Sequence, residues 1–169
     1  MRTWRAACFT LALAGLSHAT PAEEPSDSSW RSFAGTWSVA GRREALPVEG
    51  GGVASVIDVS GAIVLTNGEG LSRGFRGRAI GLDDGHGSSV GRCAWTDENG
   101  DRVFSRIEGE SLKTGRRFVG KITGGTGRYA GLTGEYSFTW EYVVAGDEAA
   151  VNGRITDLAG RVQRVGGAR

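Results

Sequence analysis

The sequence predicts an all-β protein, a single antiparallel up-and-down β-barrel of about eight to nine strands. Glycine is abundant at 29 residues and proline is scarce at 3, a balance typical of many short strands joined by tight turns. Apolar and polar residues alternate along several segments, and no long segment repeats apolar residues at helical spacing. Among antiparallel architectures, we prefer a closed barrel to a two-sheet sandwich because closure removes the exposed strand edges that promote aggregation.

The first nineteen residues, MRTWRAACFTLALAGLSHA, have the features of a secretory signal peptide. Arg2 and Arg5 provide a positive start, and an apolar run of about eleven residues leads to small residues that suit cleavage after Ala19, with Ala22 as the alternative. The run is too short for a membrane span, which needs roughly 20 apolar residues. We therefore expect a secreted or periplasmic protein with a signal peptide at 1–19 and no membrane span.

The rest of the chain is predicted to form one domain that follows a short N-terminal segment. Residues 20–30 are polar and proline-containing, and we expect them to be a flexible lead-in. The barrel domain is expected at 31–169, since composition stays uniform after Trp30. Loss of the signal peptide takes two of the 20 basic residues away, against 19 acidic residues. A nearly neutral chain has no overall positive field to attract nucleic acid or an anionic membrane.

The clearest predicted strand is EYSFTWEYVV at 135–144. Side chains alternate between the two faces of a strand, which places an aromatic row on one face and polar residues on the other. The row comprises Tyr136, Phe138, Trp140 and Tyr142, and the alternation places Val144 on the same face. The same reasoning predicts further strands at Thr36–Ala40, Val53–Val59, Ala62–Thr66, Gly74–Leu82, Ser89–Trp95, Arg102–Glu108, Arg116–Thr123, Val151–Thr156 and Arg161–Val165.

Three asparagine–glycine pairs mark turns. Asn99–Gly100 and the segment TNGEG at 66–70 predict two-residue hairpins, because the central positions of such hairpins require positive φ. Asn152–Gly153 leaves two readings open, a hairpin tip and a kink within a strand.

The segment GGTGRYAGLTG at 124–134 is predicted to turn the chain at one end of the barrel. It lacks the Lys-Ser/Thr of a phosphate-binding loop, and a strand follows it instead of a helix. Its glycines permit backbone angles that other residues avoid, so Tyr129 is expected to fold back as a plug over the barrel end.

The longer stretch ITGGTGRYAGLTGEYSF resembles a conserved segment of allene oxide cyclases, and dirigent proteins carry a related stretch. The resemblance implies the same barrel. It also implies a hydrophobic substrate or ligand inside the barrel: allene oxide cyclases cyclise an unstable fatty-acid epoxide, and dirigent proteins steer the coupling of phenoxy radicals. No activity residue of either family can be matched to a position here.

A second resemblance concerns Gly35-x-Trp37, which is similar to the first-strand G-x-W of lipocalins and other calycins. There the tryptophan packs across the barrel base and an arginine from a late strand often covers it. The resemblance implies that Arg154 or Arg161 covers Trp37 through a cation–π contact.

These features favour a barrel that binds a small hydrophobic ligand, because an aromatic row provides an apolar wall. An isomerase or cyclase acting on a hydrophobic substrate is the first alternative, and a structural or oligomer-forming barrel with a filled interior is the second. The ligand-binding candidates are Trp37, Tyr129, Tyr136, Phe138, Trp140 and Tyr142.

The candidate acid–base residues depend on which face of the barrel wall points inward. Glu135, Glu141 and Arg106 face solvent if the aromatic row faces the interior. They face the lumen if the outer surface is apolar and packs against sister subunits of a homo-oligomer, and Glu135 would then pair with Arg106.

Metal and cysteine chemistry have little basis in the sequence. Asp83, Asp84 and His86 share one polar loop, where such side chains usually cap backbone N–H groups, and we expect no metal and no cofactor. Cys93 is the only cysteine outside the signal peptide, and we expect it to be buried as a small apolar side chain.

Overall fold

The computed structural model describes residues 29–144 and 149–165. The predicted signal peptide, residues 20–28 of the lead-in and the last four residues of the predicted barrel domain lie outside the described residues. The described chain forms eight strands and two short 3-10 turns. The strands are β1 (Arg31–Pro47), β2 (Val53–Gly68), β3 (Gly74–Asp83), β4 (Ser89–Thr96), β5 (Arg102–Gly109), β6 (Arg116–Gly125), β7 (Leu132–Val144) and β8 (Ala150–Arg164).

The eight strands close into one barrel. Each strand pairs antiparallel with the next along the chain, and β1 pairs with β8 to complete the circle. The prediction of an all-β, up-and-down antiparallel barrel is thereby confirmed. The 3-10 turns lie at Glu49–Gly51, between β1 and β2, and at Gly127–Tyr129, between β6 and β7.

Two predicted pairs of strands are single strands, so those boundaries were wrong. β2 continues through Gly61, which packs where a side chain would collide with the backbone carbonyl of Ser38. β8 continues through a β-bulge at Asp157, which has a positive φ of 51°, and the register with β1 shifts there. A bulge adds one residue to a strand without ending it. β1 is also longer at both ends than the predicted Thr36–Ala40.

The hairpin predictions were partly wrong. The chain does turn at Asn99–Gly100, within a connection that runs from 97 to 101 and is longer than two residues. The turn predicted at 66–70 lies further along, at 69–73, because Asn67 and Gly68 still belong to β2. Gly100 has the predicted positive φ. Asn152–Gly153 lies inside β8 and is not a hairpin tip; the register irregularity at this point falls on β7, between Tyr142 and Val144.

The aromatic row of β7 faces the barrel interior. Tyr136, Phe138 and Trp140 are at most 5% exposed, and Tyr142 is half-buried. Because strand side chains alternate, the charged residues of β7 point outward. Of the two orientations that the sequence left open, the structure has the one in which the aromatic side chains face the interior and Glu135, Glu141 and Arg106 face outward.

Inward-facing glycines make room for the aromatic rings of neighbouring strands. The ring of Tyr136 lies over Gly120, and a Cβ added at Gly77 would lie 2.7 Å from the indole of Trp37. Carbon atoms in contact are normally about 3.5–4.0 Å apart, so any larger residue at these positions would displace a ring. The high glycine content therefore serves close packing as well as turns.

Candidate functional site

One end of the barrel, called here the Tyr129 end, is formed by the connections 69–73, 97–101 and 126–131. Gly127 has a φ of 51°, in the left-handed region that favours glycine, and the 3-10 turn that follows directs Tyr129 into the barrel. Tyr129 is 0% exposed and packs against Phe75 with a ring separation of 5.8 Å. As predicted, the glycine segment turns the chain and its tyrosine plugs this end.

The plug is held by a buried carboxylate. The Tyr129 hydroxyl donates to Asp97 Oδ2 at 2.9 Å, and Arg128 forms an ion pair with the same oxygen at 2.7 Å. Burial raises the pKa of Tyr129 to about 12, and the hydrogen bond to Asp97 adds to the shift. Burial alone would raise the pKa of Asp97, but the donors around it outweigh that effect and lower it. These groups satisfy one another's hydrogen-bonding capacity within the barrel end.

The middle of the barrel holds a second polar group that is also internally satisfied. The Ser105 and Tyr136 hydroxyls are 2.7 Å apart, and Trp95 Nε1 donates to Cys93 Sγ at 3.1 Å. Burial raises the pKa of Cys93 to about 12 and raises that of Tyr136 as well. Cys93 is therefore a buried, neutral thiol, as expected from the sequence.

The other half of the barrel contains a small apolar cavity of about 40 Å³. The cavity lies beside Gly81 and Gly91, which face each other across β3 and β4. The three atoms nearest to a Cβ added at either glycine include no ring atom, and the nearest side-chain atom at Gly81 is Ile57 Cγ1, at 3.6 Å. The side chains lining the cavity belong to Trp37, Ile57, Val59, Ala79, Ser89, Ile107, Leu112, Phe118, Phe138, Trp140 and Ile155.

Buried polar atoms without partners concentrate in the same half. Trp37 Nε1, Trp140 Nε1 and Ser89 Oγ have no hydrogen-bond partner, and all three residues line the cavity. Ser55 Oγ and Arg43 Nε, which lie in this half as well, are also buried without a hydrogen-bond partner. A buried polar atom left unpaired costs about 1–3 kcal/mol. The unpaired atoms therefore belong to residues around the cavity, although the surface that faces the cavity is almost entirely apolar.

Leu112 closes the mouth of the cavity at the end opposite to Tyr129, called here the Leu112 end. Among the described lining residues, it alone lies outside the strands, on the connection 110–115. Its backbone N–H donates to Asp83 Oδ2 at 2.7 Å, and Asp83 Oδ1 accepts from the N–H of Gly85 at 2.9 Å. The buried carboxylate of Asp83 thus ties the connection that carries Leu112 to the end of β3.

The structure divides the predicted ligand-binding residues between the two halves of the barrel. Trp37, Phe138 and Trp140 line the cavity. Tyr142 lies next to Trp140, with the rings at right angles and 5.3 Å apart. Tyr129 and Tyr136 belong to the sealed polar groups of the other half.

The candidate acid–base residues lie on the outer surface. Glu135 pairs with Arg161 at 2.6 Å, and Arg106 pairs with Glu108 at 2.6 Å, so the anticipated contact between Glu135 and Arg106 is not formed. Glu141 is half-exposed on the outward side of β7.

The arginine expected to cover Trp37 lies elsewhere. Arg161 stacks over Trp30, 4.5 Å from the ring centre. Trp37 packs inside the barrel against Gly77 of β3, and Arg154 is exposed on β8. The calycin-like covering of the tryptophan is therefore not formed by either predicted arginine, because both side chains point away from the interior.

The loop with Asp83, Asp84 and His86 is built by turn hydrogen bonds. Asp84 Oδ1 accepts from the backbone N–H groups of His86 and Ser88 at 2.8 and 2.9 Å. These bonds lower the pKa of Asp84. Within residues 29–144 and 149–165 there is no group of three or more His, Cys, Asp or Glu side chains that could hold a metal ion.

Sequence reasoning missed Gly81, Gly91, Ala79 and Leu112. The first three share a signal: they occupy inward positions on paired strands and are all small, so space remains between larger neighbours. Leu112 carries no such signal, because a single leucine in a polar connection is unremarkable until the connection folds over the barrel.

No protein-family model, curated protein or solved structure matches the chain. In the part of the chain that the structure describes, no helix is long and apolar enough to span a membrane.

Proposed function

We propose that the protein binds a small hydrophobic molecule in the Leu112 half of its barrel, in a secreted or periplasmic compartment. The observation that carries the proposal is the uncovered pair Gly81 and Gly91. At Gly77, Gly120 and Gly153 an aromatic ring lies over an inward glycine. At Gly81 and Gly91 no ring atom is among the atoms nearest to an added Cβ, and the cavity beside them has apolar walls. A flat apolar group of a ligand would fill this place as Tyr136 fills the place over Gly120.

Entry of such a molecule requires Leu112 to move outward. A cavity of about 40 Å³ holds only a few water-sized molecules, since each needs roughly 10–15 Å³. The other lining residues are fixed in the hydrogen-bonded strands, whereas Leu112 is carried by a connection. Displacement of this side chain would enlarge the cavity toward the barrel mouth without breaking any strand pairing.

The ligand that suits this site carries a hydrogen-bond acceptor. The indole N–H groups of Trp37 and Trp140 lack acceptors, and a neutral carbonyl oxygen that reached one of them would satisfy it without burying a charge. No ionisable side chain is among the described residues that line the cavity. Binding therefore has more support than isomerase or cyclase chemistry, for which Glu135, Glu141 and Arg106 are on the wrong side of the wall.

The resemblance to allene oxide cyclases and dirigent proteins is compatible with this proposal. Both resembled families hold hydrophobic molecules inside a β-barrel, and we propose a distant relationship at the level of the barrel. The signal-like pattern at residues 1–19 supports export.

A titration of the protein with benzene and with benzaldehyde tests the proposal. The two probes are similar in shape, and only benzaldehyde offers a carbonyl acceptor. We expect saturable shifts of the indole N–H signals of Trp37 and Trp140 in NMR spectra, larger with benzaldehyde. Ala79→Val, which fills the cavity, should abolish the shifts, and Ala62→Val, the same change on the outer surface of β2, should leave them intact.

A response that is equal in the Ala79→Val and Ala62→Val variants would place binding outside the cavity. No saturable response with either probe would favour the alternative, a filled barrel that acts through its outer surface or as an oligomer. The small resting volume of the cavity is the observation that favours this alternative.

A further inference from the structure

Four arginines surround one groove on the outer surface of β1 to β5, called here the arginine groove. They are Arg42, Arg76, Arg78 and Arg102, and a single carboxylate, Asp58, lies among them. The groove has a volume of about 710 Å³, much larger than the internal cavity. The barrel wall separates the groove from that cavity, so a molecule bound in the groove would not touch the proposed internal ligand.

The register of the strands explains the concave shape. Thr96 on β4 pairs with Arg76 on one side and with Arg102 on the other. Ala94, two residues earlier, pairs with Arg78. Small side chains thus form the floor, and long arginines stand around them. Neighbouring strands lie about 4.8 Å apart, which puts the backbones of Arg76 and Arg102 roughly 10 Å apart.

The groove is strongly positive because most of its arginines have no acidic partner. Arg78 uses the one carboxylate through two hydrogen bonds, with Nε and Nη2 3.2 and 2.8 Å from the oxygens of Asp58. Arg42, Arg76 and Arg102 form no ion pair within the described residues.

Some arginines on other parts of the barrel are paired, although Arg92, Arg117 and Arg154 form no ion pair within the described residues. Arg106, Arg116 and Arg161 each have a glutamate partner. The chain as a whole is nearly neutral, but the groove itself contains four guanidinium groups and one carboxylate. Clustered like charges repel one another, and an anionic partner would remove that cost.

We propose that the arginine groove binds an acidic polysaccharide. Guanidinium groups present paired donors that match carboxylate and sulfate oxygens, and arginines spaced along a concave channel match the repeated acidic groups of an extended chain. The floor of alanine, serine and threonine lets a sugar chain approach the sheet and offers hydroxyl groups for hydrogen bonds. The described residues that line the groove include no aromatic ring, whereas single-stranded nucleic acids are bound by stacking bases on aromatic side chains.

Binding of fluorescein-labelled heparin, followed by fluorescence anisotropy at several salt concentrations, tests this proposal. The Arg76→Gln/Arg102→Gln variant removes two groove charges. The Arg117→Gln/Arg154→Gln variant is the matched control, with the same net charge and both changes on β6 and β8. We expect saturable binding that weakens with salt, a loss of roughly tenfold or more in the groove variant, since exposed ion pairs contribute up to about fivefold each, and less than a twofold loss in the control.

Equal losses in the two variants would overturn the proposal, because binding would then follow net charge and not the groove. Tighter binding of a labelled oligothymidine than of heparin would overturn the choice of a polysaccharide. Failure of the wild-type protein to bind heparin at low salt would overturn both the assignment of the groove as a binding site and the choice of a polysaccharide as its ligand. All four arginine positions are on the outer surface, and a circular dichroism spectrum checks each variant for an intact β-structure. If the groove variant loses that structure, Arg42→Gln/Arg76→Gln replaces it with the same expected loss.

Discussion

Replacing Gly77 with alanine tests the ring-over-glycine packing of the barrel. The added Cβ would lie 2.7 Å from Cε2 and Cζ2 of Trp37 and 2.8 Å from Cδ1 of Ile63. These distances are about 0.7–0.8 Å shorter than the closest ordinary carbon contacts. The indole is rigid and 3% exposed, and Ile63 is 0% exposed, so either side chain would have to shift inside the core to relieve the collision. Overpacking of this kind costs about 1–3 kcal/mol, and we expect a loss of about 2 kcal/mol.

Gly74 on the same strand is the matched control. It faces outward, its φ is not in the left-handed region, and an added Cβ would have no atom within 4 Å. Gly74→Ala should therefore leave the free energy of unfolding unchanged or raise it by up to about 1 kcal/mol, through reduced freedom of the unfolded chain. The opposite signs expected at Gly77 and Gly74 separate packing from any general effect of glycine.

Urea unfolding followed by tryptophan fluorescence measures both variants. The midpoint of Gly77→Ala should fall while the slope of the transition is unchanged, and its melting temperature should fall by roughly 4–8 °C. A second change, Trp37→Phe, should remove most of the effect of Gly77→Ala, because the two residues are in contact and their effects are not additive. Equal stability of the two alanine variants would refute the packing argument.

Two further predictions concern the core and its ionisable groups. Phe138→Ala should destabilise the barrel by about 3–5 kcal/mol in urea unfolding, whereas Thr133→Ala on the outward side of the same strand should change stability by less than about 0.5 kcal/mol; similar losses would mean that Phe138 does not belong to the core. Cys93 and Tyr129 have folded pKa values raised to about 12 from ordinary values of 9.0 and 10.0. The folded protein thus holds protons that the unfolded chain releases, and the free energy of unfolding should fall as pH rises from about 9 to 12. Constant stability across that range would contradict the buried, neutral state of both groups, as would reaction of folded Cys93 with a thiol reagent at neutral pH.

Several features of the barrel were predictable because they depend on local periodicity. The alternation in residues 135–144 indicated a strand whose aromatic row shares one face, and the glycines at 124–134 indicated a turn with Tyr129 at its centre. Strand ends were less predictable. Gly61 and Asp157 read as breaks, but a glycine can continue a strand where a neighbouring backbone approaches closely, and a bulge can absorb an extra residue.

The sequence alone determined that the chain forms many antiparallel strands with glycine-rich turns, because period-two alternation and turn residues are local properties. It favoured a closed barrel over a sandwich only through the need to avoid exposed strand edges, and the pairing of β1 with β8 that closes the barrel is a tertiary feature. Only the tertiary structure decided that the aromatic row faces inward, that an uncovered pair, Gly81 and Gly91, leaves a cavity, and that Arg42, Arg76, Arg78 and Arg102 meet on one outer face. These features depend on the register between strands that are distant in the chain. A shift of one residue in register would turn every inward side chain outward, and register is set by the packing of the whole barrel.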